Sequence, residues 1–217
     1  MSWHSWARWL GLALCRPHAF HEVYHQAGKV GLAWGTTTWM GRACAQTPLD
    51  LWVIGELIWK HQPRWVIETG TGEGGSALWY ATILNLIGRG GQVITVDRVA
   101  PVRSSQFLFY LGSSLERIAD IRECVKGDAT MVILDSAHEA DHVTAELNAY
   151  GPLVTVGQYL IIHDTHFNGH PIVTNNNPGP WEAVHDWLLS HPEFVIDRSQ
   201  ERHLLTFCPD GFLRRIN

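Results

Sequence analysis

The sequence predicts a doubly wound, mostly parallel α/β sheet of the Rossmann-like kind, closed by a final antiparallel strand pair. Short aliphatic or β-branched runs at 65–68, 92–97, 107–111, 131–135 and 159–162 alternate with helical stretches, the pattern of strands joined by crossover helices. These runs end on Glu68, Asp97, Gly112-Ser113-Ser114, Asp135 and His163-Asp164. Polar chemistry therefore collects along the carboxyl ends of the strands, where such sheets bind their ligands. A glycine-rich turn, Gly70-Thr71-Gly72-Glu73-Gly74-Gly75, follows the first run directly.

Taken in order, Trp3, Trp6, Leu10 and Leu14 fall near helical spacing and predict a short amphipathic helix. Its uses are a packing or oligomer contact, or else a substrate lid or membrane-surface helix. Five of the eleven tryptophans precede residue 46, which marks residues 1–46 as an extension with a contact surface. Gly28 to Arg42 reads as loop. A second unit, 47–217, opens with Thr47 as N-cap, Pro48 at the first helical position and Asp50 in the first turn. Leu51, Ile54 and Ile58 stripe that helix. The helix after the glycine turn runs to Ile87 and is broken by Gly88 to Gly91. Val143, Leu147 and Tyr150 stripe another, and Trp181–Leu189 is helical. Phe194–Asp197 and His203–Phe207 are close enough in sequence to pair antiparallel.

The chain has 217 residues, enough for one compact α/β domain. Sixteen Lys and Arg stand against 21 Asp and Glu, a formal charge of −5, with a pI near 6.2. No basic cluster exceeds Arg214-Arg215, which argues against a nucleic-acid partner. Cys15, Cys44, Cys124 and Cys208 form no CxxC pair and read as reduced thiols of a cytoplasmic protein. No apolar run approaches the ~20 residues of a membrane span. Met1 to Leu14 lacks a signal-peptide layout, because Trp3, His4, Trp6, Arg8 and Trp9 interrupt it.

Gly70-x-Gly72-x-x-Gly75 matches a nucleotide fingerprint in which backbone N–H groups approach the ligand. Taken alone it fits a nicotinamide cofactor or S-adenosylmethionine. Glu68 favours the second, since an acid before the glycines repels a pyrophosphate but suits an amino group and ribose hydroxyls. Glu68, Gly70, Thr71, Gly72 and Ser76 are the expected contacts. Asp97, 25 residues past Gly72, is placed to accept two ribose hydrogen bonds, with Ser113 on the adenine side. Asp135-Ser136-Ala137-His138 and His163-Asp164-Thr165-His166 bring carboxylates to adjacent strand ends. Close carboxylates repel unless a cation or proton lies between them. A divalent ion on Asp135, His163 and Asp164 is the economical arrangement, with His138 as general base.

At these residues the chain resembles the cephalosporin hydroxylase family, whose relatives include rhamnosyl and macrolide-sugar O-methyltransferases. The resemblance runs from Trp39 to Arg215. It rests on Pro48-Leu49-Asp50-Leu51-Trp52, Ile67-Glu68-Thr69-Gly70-Thr71, Gly74-Gly75-Ser76-Ala77-Leu78, Ile133-Leu134-Asp135-Ser136-x-His138, Asn168-Gly169-His170-Pro171 and Gly179-Pro180-x-Glu182-Ala183-Val184, among others. It implies a class I methyltransferase fold, S-adenosylmethionine as cofactor also touching Asp135, and a sugar or other natural-product hydroxyl as acceptor. It further implies Mg²⁺ on Asp135 and an acid pair, with His138 as base. His163 stands where the family pattern has glutamate, which turns the metal expectation toward Mn²⁺, Fe²⁺ or Zn²⁺. Three other readings share these residues: a nicotinamide-dependent oxidoreductase, a non-haem iron hydroxylase using His138 or His166 with His163, and an inactive homologue serving as a binding subunit. Asn168–Pro180 reads as a substrate loop.

Overall fold

A computed structural model of the chain describes residues 19–100, 104–172 and 178–217. The expected helix through Trp3, Trp6, Leu10 and Leu14 lies outside the described residues. The first described element is helix α1 (Ala19–Lys29), followed by a 3-10 turn at Ala33–Thr36 and a small hairpin, β1 (Thr38–Trp39) with β2 (Arg42–Ala43). Gly28 to Arg42, expected as loop, is thus the end of a helix, a turn and most of a hairpin. Gly28 is required there because a Cβ would fall 1.9 Å from Trp34 Nε1. Helix α2 (Pro48–His61) begins as expected: Thr47 accepts from the Leu49 N–H, and Leu51, Ile54 and Ile58 are buried.

The main sheet has seven strands. They are β3 (Trp65–Thr69), β4 (Gln92–Asp97), β5 (Leu108–Leu111), β6 (Thr130–Leu134), β7 (Tyr159–Ile162), β8 (Phe194–Ile196) and β9 (Phe212–Arg215), in the order β5-β4-β3-β6-β7-β9-β8. All pairings among the first five are parallel, and β9 runs antiparallel to both β7 and β8. Helices α3 (Gly75–Ile87), α4 (Ser114–Val125), α5 (Ala140–Tyr150) and α6 (Pro180–Leu188) connect the strands. The sheet is buried on both faces because successive residues of a strand point to opposite sides. Val66, Met131 and Ile161 pack with α2 and α3, whereas Ile67, Val132 and Leu160 pack with the α5 and α6 residues Leu147 and Trp187. Ile67 is fully buried, so truncating it to Ala would cost about 2–5 kcal/mol.

The final strand differs from expectation. His203–Phe207 is irregular, with His203 and Leu204 at φ 69° and 63°, a left-handed conformation no extended strand uses. Phe207 donates its N–H to Asp50 Oδ2 at 2.7 Å instead of to a neighbouring strand. The antiparallel partner of β8 is β9, five residues later. Gly211 lets it enter, since a Cβ there would sit 2.3 Å from the Ile162 carbonyl oxygen.

Among the described residues, no helix is long and apolar enough to cross a membrane. The strand order reverses between β3 and β6, and a crevice opens at that switch point.

Candidate active site

The glycine turn and the tip of β6 meet tightly. A Cβ on Gly70 would lie 1.9 Å from the Asp135 carbonyl oxygen, and Gly70 adopts φ 84°. Only glycine lets these two strand ends close on each other. Asp135 N donates to the Thr69 carbonyl at 3.1 Å, and Gly70 N to the Val96 carbonyl at 2.9 Å. Beyond the turn, α3 points its N-terminus and its positive dipole end at the crevice.

Two cavities adjoin there, sharing Gly70, Asp97 and Ser136. The larger, about 490 Å³, is lined by Gly70–Glu73, Ser76, Asp97, Gln46, Asp135, His138 and Asp164, with an aromatic side of Trp34, Phe167 and Phe207. The smaller, about 240 Å³, is lined by Asp97, Gly112–Ser114, Ser136, Ala137, Glu139 and His142. Asp97 bridges the two: its Oδ2 accepts from Gly72 N at 2.9 Å and its Oδ1 from Val99 N at 3.1 Å. Ser113 borders the smaller cavity.

Glu68 is placed differently from the sequence expectation. It is fully buried beneath the turn and borders neither cavity. Thr95 Oγ1 donates to Glu68 Oε2 at 2.7 Å, and Thr71 Oγ1 lies 2.7 Å from Thr95 Oγ1. Burial pushes the Glu68 carboxyl up to about 8, against the opposing pull of the Ser76 and Thr95 hydroxyls. The acid thus braces the glycine turn from below through the Thr95 and Thr71 hydroxyls.

At the far end of the larger cavity, Asp135, His138 and Asp164 bring ligand atoms within 4.8 Å of one another. His138 Nε2 lies 2.8 Å from Asp164 Oδ2, with the two side chains 45% and 18% exposed. Asp164 adopts φ 58°, a left-handed conformation at the mouth of the crevice. Burial and the neighbouring Asp164 charge hold the Asp135 carboxyl above the usual carboxylate range. Burial also works against the Asp164 charge, yet the His138 hydrogen bond and charge carry it below that range. Burial draws the His138 imidazole down, but the Asp164 hydrogen bond and the two carboxylate charges outweigh it and lift it to about 9. Burial and the Asp164 charge push Asp135 toward its neutral form and the pair draws a proton onto His138, and a divalent cation between the two carboxylates would take over the part that proton plays.

His163, expected as a ligand, is not in this group. It is 4% exposed, with Nδ1 3.6 Å from Cys208 Sγ, and burial lowers its imidazole. His163 and Asp164 both lie past the end of β7 in a turn, where Asp164 adopts its left-handed conformation and borders the crevice while His163 stays buried. The expectation of an imidazole-preferring metal rested on His163 as ligand, and it loses that premise. His166 is buried as well: its Nδ1 lies 3.1 Å from the Phe207 carbonyl and its Nε2 3.2 Å from His25 Nδ1, and burial takes it down to about 3.

Gln46 escaped the sequence reading. Its Nε2 donates to Asp135 Oδ2 at 2.7 Å while Tyr80 Oη donates to its Oε1 at 3.1 Å. The available signal was its position immediately before the Thr47 N-cap, which carries it to the crevice on the end of α2.

A doubly wound sheet with a glycine turn after its first central strand, an acid closing the second and an acid–histidine group across the switch point makes this a Rossmann-like α/β protein with a polar crevice there. The chain belongs to the Rhamnosyl O-methyltransferase/CmcI family, whose model matches residues 32–216, and is a S-adenosylmethionine-dependent O-methyltransferase. It is 35% identical over 209 residues to a rhamnosyl O-methyltransferase of Mycobacterium bovis (strain BCG / Pasteur 1173P2), covering 91% of this chain and 85% of that one. A rhamnosyl O-methyltransferase of Mycobacterium leprae is 34% identical over 206 residues, covering 89% and 90%. A solved structure of CmcI with Mg and SAM superposes with a TM-score of 0.64 at 20% identity, covering 83% of this chain and 77% of that one, and shows the same fold.

Proposed function

We propose that this enzyme methylates a sugar hydroxyl, with a divalent cation held by Asp135 and Asp164 and with His138 as general base. The observation that carries the reading is the Asp135–His138–Asp164 group, opening on the same cavity as the Gly70–Gly75 turn. The rhamnosyl O-methyltransferase relatives direct the acceptor toward a deoxysugar. Trp34, Phe167 and Phe207 on the cavity wall suit its apolar face.

When bound, S-adenosylmethionine supplies the transferable methyl group, and a divalent cation supplies the charge that lowers the pKa of a hydroxyl. The chain's own residues do the rest. Asp97 accepts from the ribose hydroxyls where the cavities join. Gly72 leaves its backbone uncovered beside the ligand, since a Cβ there would meet open space, and Gly70 closes the turn against Asp135. Ser76 and Thr71 border the methionine side, and Gln46 holds Asp135 in place. His138 is the most exposed member of its group; with the carboxylate charges that hold its proton offset by a cation on Asp135 and Asp164, the imidazole takes the acceptor's proton and passes it toward solvent. Asp164 fixes the orientation of its ring. Residues 19–46 belong functionally to the transferase unit starting at 47, because His25, Lys29, Trp34 and Ala43–Gln46 form one wall of the larger cavity.

The test is transfer of an isotopically labelled methyl group from S-adenosylmethionine to a rhamnoside. Label should appear in the sugar with Mg²⁺ or Mn²⁺ present and disappear with chelator. Label retained under chelation overturns the metal role.

A further inference from the structure

The smaller cavity carries a side-chain group that the proposed reaction does not use. Ser136 Oγ donates to Glu146 Oε1 at 2.8 Å and lies 3.1 Å from His142 Nε2. His142 Nε2 also stands 3.5 Å from the same carboxylate oxygen, and the Glu146 side chain is only 1% exposed. A serine hydroxyl has one proton to donate. With that proton on Glu146, Ser136 can only accept from His142, so His142 Nε2 carries a hydrogen. In the neutral imidazole Nδ1 is then a bare acceptor. Among the described residues it meets no hydrogen-bond partner, and the side chain stays 23% exposed on the cavity wall.

We propose that His142 reads the base of the nucleoside cofactor: Nδ1 accepts a hydrogen bond from the exocyclic amino group of adenine, in a tautomer held by Ser136 and Glu146. The inference rests on the reading of the two adjoining cavities as a S-adenosylmethionine site. Asp97, shared by both, places the ribose at their junction, so the base enters the smaller cavity and the amino acid the larger. Val96 and Ala137 offer apolar wall to the base faces. A purine bearing a carbonyl in place of the amino group would set one acceptor against another, with neither satisfied. Fixing the proton on Nε2 thus makes His142 a discriminator between aminopurine and oxopurine cofactors.

The experiment is calorimetry of S-adenosylhomocysteine and its deaminated counterpart S-inosylhomocysteine. The wild type should bind the amino compound at least about tenfold more tightly. His142→Ala should weaken the amino compound and bring the ratio close to one. His142→Gln, whose amide rotates to present oxygen or nitrogen, should bind both compounds alike. Ser136→Ala releases the tautomer and should shift the ratio toward the oxo compound, whereas Glu139→Gln, on the same wall, should keep the wild-type ratio. A full ratio in both folded His142 variants overturns the proposal, as does a ratio lost only in Glu139→Gln. If neither compound binds the wild type, the site reading itself falls, an outcome distinct from binding without discrimination.

Discussion

Replacing Asp97 by alanine removes the carboxylate at the junction of the two cavities. In the structure that carboxylate already accepts from Gly72 N at 2.9 Å and Val99 N at 3.1 Å. Two oxygens offer about four lone-pair positions, which leaves capacity for ribose hydroxyls. A hydrogen bond to a charged group is worth about 1.5–3 kcal/mol, and about 1.4 kcal/mol corresponds to a tenfold change in affinity. Losing one such bond should weaken S-adenosylhomocysteine binding roughly 10- to 150-fold by calorimetry. Asp97→Asn keeps one acceptor oxygen and should fall between. The protein's own loss, two bonds to loop N–H groups near the surface, is on the order of 1–2 kcal/mol. That corresponds to a melting shift of only a few degrees for a chain of this size. A folded Asp97→Ala protein with affinity within about twofold of wild type refutes the placement of the ribose.

Three further outcomes follow from the geometry. His138→Ala should bind S-adenosylhomocysteine as wild type does while losing about 10²–10⁴ in turnover on a rhamnoside; an equal loss of cofactor affinity would mark His138 as structural. Gln46→Ala removes the bond that orients Asp135, so calorimetry should show divalent-cation affinity falling about 10- to 100-fold. Glu68 has a folded pKa raised to about 8 by burial, so the folded state holds its proton more tightly than the unfolded chain. Its contribution is fully present below the ordinary glutamate range and is lost as pH rises toward about 8. Glu68→Gln should therefore raise the melting temperature at about pH 8 and much less at about pH 5, a difference that thermal scans read directly.

The sheet was legible because its strands are buried on both faces and read as short aliphatic runs between turn residues. Asp97, Asp135 and Asp164 were legible for the same reason, each following such a run. Side-chain direction was less so. Glu68 stands two residues before the crevice residue Gly70 and His163 directly before Asp164, yet both are buried away from the crevice, a placement settled by the turns that follow each strand. The strand at 212–215 was missed because Leu204-Leu205-Thr206-Phe207 has a stronger β composition. Phe207 is instead drawn to the buried Asp50 carboxylate, 157 residues away in sequence. Helix α1 was unread because its inner face is histidine rather than aliphatic: His21 and His25 are buried against His166 and Phe207. Gln46 and His142 are legible only once distant segments are brought together.

The most direct measurement of the site is Mn²⁺ binding, followed by electron paramagnetic resonance in wild type, Asp164→Asn and His163→Ala. Asp164 lies in the Asp135–His138–Asp164 group and His163 does not. Wild type and His163→Ala should bind Mn²⁺ with the same affinity, and Asp164→Asn at least about tenfold more weakly, the loss of a charged ligand. Loss of Mn²⁺ in a folded His163→Ala protein, with Asp164→Asn binding normally, would contradict a cation held by Asp135 and Asp164.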